Sequence, residues 1–135
     1  MTLENLETLG LLLPLERSET EFEQLIEKAK ELHFDSKRKE LAIQSRFQLA
    51  YEASFALALA ALRWNGYRPS GKRYVAFQAL RHTAELGSEV ALLIKAHSLR
   101  NEIEYDAEPF DDMRFLEELI AVNASLIDRV PRLKG

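Results

Sequence analysis

Residues 46–70 read RFQLAYEASFALALAALRWNGYRPS. Within this stretch Ala53, Ala56, Ala58, Ala60 and Ala61 are small. Phe47, Leu49, Tyr51, Phe55, Leu57, Leu59 and Leu62 are large and mostly apolar. Wrapped at 3.6 residues per turn, apolar side chains cover nearly the whole circumference, which predicts a central helix touched on more than one side. Its neighbours are core helices of the same chain or, along one side, a second copy. The helix is expected to start near Ser36, or at Ser45 with Gln48 completing a capping box. It runs to Asn65, where Gly66 supplies a left-handed terminator.

Working outward, the remaining segments also have helical period. Residues 3–9 form a short turn of helix ended by Gly10. Ser18 and Glu21 make a capping box for a helix reaching about residue 33, with Phe22, Leu25, Ile26, Ala29 and Leu32 on its apolar face. After the loop GYRPSG (66–71), a helix is expected from about Lys72 to Leu86, ended by Gly87. Ser88 caps the next helix, which ends near Tyr105. The acidic loop DAEPFDD (106–112) follows, and Asp111 or Asp112 caps the last helix. Phe115, Leu119, Val122, Leu126 and Val130 line that helix, and Pro131 stops it. No strand alternation occurs. The expected fold is all-α: an up-and-down four-helix bundle over residues 36–130 with an additional N-terminal helix in an extension, 1–35, forming one domain over 1–135.

Composition narrows the function. A chain of 135 residues suffices for one buried core. It has no cysteine, so neither a disulfide framework nor a thiol nucleophile is available. Three histidines (33, 82, 97) show no metal-ligand spacing, and no cofactor motif occurs. The segment LGLLLPL is too short to span a bilayer and contains Pro14, so a cytoplasmic protein with no membrane partner is expected. The net charge of −4 conceals an asymmetry. Residues 46–100 carry eight basic and three acidic side chains, a balance of +5. Residues 101–128 carry nine acidic side chains and Arg114, a balance of −8. One half suits an anionic partner, or the two halves pair within a chain or across a dimer.

The segment KAHSLRNEIEYD (95–106) carries the chemistry. Spacings of three, four and seven place His97, Arg100, Asn101 and Glu104 on one helical face, which continues into Val90, Leu93 and Ile94. Polar groups on an apolar surface are costly unless paired, so this stripe is a candidate site. Arg100 and Asn101 offer a planar fork and an amide to phosphate or to base edges. They fit equally well a structural pair, with Arg100 bonded to Glu104 one turn on.

The pattern resembles that of helical HEPN domains (higher eukaryotes and prokaryotes nucleotide-binding). These carry an Arg, often followed by Asn, then a His four to six residues later. Arg100 and Asn101 match the start, and Tyr105 stands where the His would be after a four-residue spacer. Residues 46–70 look like the first long helix and loop of bacterial members, and the resemblance covers roughly residues 40–130. It implies a homodimer that binds RNA or a nucleotide, within a toxin–antitoxin or defence system. In active members the Arg and His form a metal-independent ribonuclease pair at the dimer interface. A phenol, with a pKa of about 10, is a poor general base at neutral pH. Tyr105 therefore points to a degenerate motif and to binding more than cleavage. His97, one turn before Arg100, is the other candidate imidazole. The alternative is a non-catalytic helical interaction module, partner of a nucleotidyltransferase or another neighbour-encoded protein. The tyrosine that such partners modify would lie at Ala107, so that mechanism does not carry over.

A second candidate is RWNGYRPSGKRY (63–74). Arg63, Arg68, Lys72 and Arg73 accompany Trp64, Tyr67 and Tyr74 without an intervening acid. Cations follow a phosphate backbone and aromatics stack on unpaired bases, which suits single-stranded RNA. The same residues fit a helix junction whose aromatics cap the core. His82 ends a helix and suits a surface position. Glu52 in the apolar helix needs a cation, and Arg100 or Arg46 are the expected partners in a structural network.

Overall fold

The apolar segment folds as α3 (Ile43–Trp64), the longest helix of the computed structural model, which describes residues 2–84 and 86–135. Phe47, Ala50, Tyr51, Ala53, Leu57, Ala58, Ala60, Ala61 and Leu62 are enclosed, as a helix packed on several sides requires. Its start is neither Ser36 nor Ser45. The N-cap is Ala42, without a side-chain cap. Ser36 instead closes α2 (Glu19–Ser36), and the Arg46 Nε donates to its carbonyl at 2.8 Å. A guanidinium from the next helix thus terminates α2, which local capping rules cannot anticipate. At the other end Gly66 is left-handed, with φ of +85°, as expected.

Before α2 lie α1 (Leu3–Thr8) and β1 (Leu12–Pro14). After α3 come β2 (Tyr67–Pro69), α4 (Tyr74–Thr83), α5 (Ser88–Asp106), α6 (Met113–Arg129) and a 3₁₀ turn, Val130–Lys134. The fold is all-α apart from a two-stranded ribbon. β1 pairs antiparallel with β2, in register Leu12–Pro69, Leu13–Arg68 and Pro14–Tyr67. The expectation of no strand is corrected here. Three-residue strands are too short to show alternation, and only Leu12 of β1 is buried.

α2 packs along α3 more extensively than any other helix. Leu3, Leu6, Leu12, Phe22, Ile26 and Ala29 join the same buried cluster as α3, α4 and α6. The segment from Leu3 to Ala29 therefore contributes side chains to the core. The expected capping box at Ser18 is half formed: Ser18 accepts from the Glu21 N–H, while the Glu21 carboxylate turns to Arg63. α4 starts two residues later than expected and ends at Thr83; Glu85 lies outside the described residues. Gly87, and not Ser88, is the N-cap of α5. Asp112 caps α6 by accepting from the Phe115 N–H at 3.0 Å. Pro131 sits within the 3₁₀ turn that prolongs α6. Asn123 of α6 reaches into α3, donating to the Ala50 carbonyl at 2.9 Å and accepting from Ser54 at 2.5 Å. Among the described residues no helix is long and apolar enough to cross a membrane.

Candidate functional site

The basic–aromatic stretch 63–74 divides into three groups in space. Arg63 is buried and saturated. Its Nε meets Glu21 at 3.1 Å, Nη1 donates to the carbonyls of Leu15 (2.9 Å) and Tyr67 (3.2 Å), and Nη2 to that of Glu16 (2.6 Å). Trp64 is held between Phe22, 4.8 Å away between centroids, and the Arg17 guanidinium at 4.1 Å. Neither residue is available to nucleic acid: the sequence shows charge and rings but not the carbonyls that occupy them. Tyr67 is half-buried in the ribbon, while Arg68 and Lys72 are exposed. Arg73 and Tyr74, at the start of α4, turn the other way and join the α5 stripe.

That stripe faces α3. Gln44, Gln48 and Tyr51, spaced four and three apart, form a polar line on α3, and Glu104, Arg100 and His97 form the opposing line on α5. The Tyr51 hydroxyl lies 3.0 Å from His97 Nδ1. The Arg100 guanidinium sits over the Tyr51 ring at 5.6 Å, and the Tyr74 ring lies 6.4 Å from His97. Glu52 pairs with Arg73 at 2.9 Å, so neither Arg100 nor Arg46 is its partner. Arg100 is left with distant acceptors, Asn101 Oδ1 at 3.4 Å and Glu104 at 3.9 Å, and its Nε is buried without a hydrogen bond. The Arg100 side chain is only 18% exposed. Tyr105, by contrast, is 77% exposed and lies outside this group. His82 is exposed at the end of α4.

Proton positions follow from which groups accept. Tyr51 is fully enclosed, and Arg73, which also reaches its hydroxyl, has only donors. The hydroxyl proton therefore goes to His97 Nδ1, and the imidazole proton sits on Nε2, 3.4 Å from the Asn101 amide nitrogen, which is itself a donor. The Asn101 oxygen is turned to Arg100, at 3.4 Å, and not to Nε2. Arg100 Nε, buried without a partner, is the donor that an added anion would fill.

Burial lowers the His97 pKa below its ordinary value, and the Arg100 and Arg73 charges lower it further. Burial raises that of the Tyr51 phenol, with Arg73 opposing. Burial works against the Arg73 charge, but hydrogen bonds to Glu52 and Tyr51 outweigh it and the net shift is upward. His97 is thus neutral at pH 7. Because its folded pKa lies below the unfolded one, the unfolded chain binds the proton first as pH falls. Stability is expected to be flat above about pH 7 and to decline once pH drops through about 6.5. His33, lowered by burial and by Lys37, adds to the decline. Thermal melts of wild type and His97→Asn between pH 5 and 8 measure this. Equal slopes in the two proteins would assign the whole effect elsewhere.

Tyr51 was not singled out in the sequence as a site residue. The available signal was a phenol within a helix apolar all round, whose hydroxyl must find a partner when buried. Among the described residues no three metal-ligating side chains converge. Comparison of the chain with models of known families, with curated proteins and with solved structures finds no match.

Proposed function

We propose that this chain is an HEPN-like protein that binds RNA or a nucleotide through its phosphate, at the α3–α4–α5 cluster of Tyr51, Arg73, His97, Arg100 and Asn101. One observation carries this reading: Arg100 is largely buried with its Nε unfilled and its other nitrogens only loosely paired, beside a second guanidinium and a neutral imidazole. A phosphate accepts from Arg in a bidentate fork and relieves that deficit. Binding without cleavage fits best, since both His97 nitrogens already have neighbours and Tyr105 stands apart. The opposite charges of residues 46–100 and 101–128 support association of two copies, as the resemblance implies.

The test is anisotropy of a labelled single-stranded RNA titrated with protein at low and moderate salt. Affinity is expected to fall steeply with salt, and Arg100→Ala to weaken it about tenfold and to lower the salt slope by about 1. RNA incubated with the wild type and no divalent metal is expected to stay intact. Absence of binding at low salt would sink the proposal and leave the interaction-module alternative.

A further inference from the structure

The polar seam does not end at Arg100. One turn further along α5 it opens into a cleft of ≈ 580 Å³ between the first turns of α3 and the last turns of α5, lined by Gln44, Ser45, Gln48, Ile103 and Glu104. From His97 to Glu104 is seven residues, about 10 Å along the helix. The size lies within the range of small-ligand sites. Cations therefore stand at one end of the seam and amides, a hydroxyl and a carboxylate at the other, with the Ile103 side chain as an apolar wall. That order matches a nucleotide laid along the seam, phosphate first and base last.

The donors and acceptors in the cleft select among bases. Gln44 Oε1 is engaged by the Phe110 N–H at 3.3 Å, so Gln44 presents its amide N–H groups outward. Glu104 offers a two-oxygen acceptor whose only ion-pair neighbour among the described residues is Arg100, at 3.9 Å. A phosphate drawing Arg100 to itself leaves that carboxylate without a cation. Guanine alone among the common bases presents two adjacent donors, the N1–H and an N2–H, to a carboxylate, with O6 beside them for an amide N–H. Adenine and cytosine offer an amino group next to an acceptor, and uracil one imide N–H. We infer that the cleft takes a guanine base, its Watson–Crick edge on Glu104 with an amide of Gln44 or Gln48 at O6, so that the chain binds a guanosine phosphate.

This inference rests on the phosphate-binding reading of Arg100, and its test separates the two. Binding of 5′-GMP, 5′-AMP, 5′-CMP and inorganic phosphate is measured calorimetrically at low salt for the full chain and for Glu104→Gln. Two RNA pentamers, UUGUU and UUAUU, distinguish a guanosine within RNA from a free mononucleotide as the source. GMP is expected to bind about tenfold more tightly than AMP or CMP, as a bidentate base contact gives. Glu104→Gln should bring the three nucleotides level while phosphate binds at least as tightly as before, since Arg100 loses a competing carboxylate. Glu104 is 42% exposed and pairs only loosely, so the variant folds. Equal affinity for GMP and AMP, or a preference that survives Glu104→Gln, overturns the guanine assignment while leaving phosphate binding standing. No binding of phosphate or of any nucleotide overturns both.

Discussion

Arg63→Ala lowers the stability of the chain by about 3 kcal/mol and the melting temperature by roughly 10 °C. The magnitude follows from what the guanidinium holds. Three backbone carbonyls, of Leu15, Glu16 and Tyr67, converge on it together with Glu21. They belong to the chain leaving β1, to β2 and to the first turn of α2, so a single side chain fastens the ribbon to the long helices. Hydrogen bonds from a charged donor contribute about 1.5–3 kcal/mol each, but the acceptors here lie near enough to the surface for water to replace part of that. Two companion variants separate the causes. Glu21→Gln removes only the charge of a partner that is 43% exposed and should cost under about 1 kcal/mol. Arg63→Lys keeps the charge but loses the fork and falls between the two. Urea unfolding with unchanged m-value is the measurement. Were Arg63→Ala no worse than Glu21→Gln, the carbonyl contacts would be worth nothing and Arg63 would be a surface ion pair.

Arg63 also marks the limit of what the chain discloses before it is folded. A cation flanked by aromatics reads as a nucleic-acid contact, because composition exposes charge and conceals burial. Carbonyl oxygens, which every residue has, are the partners that sequence cannot display. Local signals fared better. Asp112 and Ser18 cap their helices as expected, since a cap needs only its own next three residues. Gly66 terminates α3 for the same reason. Where the cause is distant the sequence is mute: Arg46 ends α2 from ten residues away, and β1 meets β2 across more than fifty. The all-α class and the central place of α3 were both legible because periodicity over twenty residues averages out such exceptions.

The stripe on α5 was legible as a stripe and not as a site. Spacing brought His97, Arg100, Asn101 and Glu104 to one face, and they do meet there. What faces them was hidden, since helix periodicity says nothing of which neighbour a face receives. Tyr51 and Arg73 complete the cluster from α3 and the start of α4. Glu52 illustrates the point: it needed a cation, and two named candidates were plausible on charge, but the topology supplies Arg73 instead.

Phe47→Ala costs about 3–5 kcal/mol, the range for emptying a large aromatic site in a core that relaxes only partly. Phe47 is fully enclosed, its ring stacked on Phe110 at 4.3 Å and tilted against Phe115 at 6.3 Å. Through these two contacts α3 holds both the start of α6 and the connection that precedes it, where Gln44 also accepts the Phe110 N–H. Truncation therefore removes more than buried area: it releases the segment 107–112 and, with it, the restraint on the last turns of α5. Phe110→Ala isolates the second effect. It leaves the Phe47–Phe115 contact in place and should be the less destabilising of the two. In Phe110→Ala, amide exchange is expected to rise at residues 102–110 while α3 and α2 stay protected. Ile103 and Glu104 lie in that stretch and Arg100 one turn before it, so discrimination between guanine and adenine nucleotides should weaken before affinity for phosphate does. Exchange that rises uniformly across the chain would show instead that Phe110 supports the whole core, and that α5 owes its last turns to α4 and α3 alone.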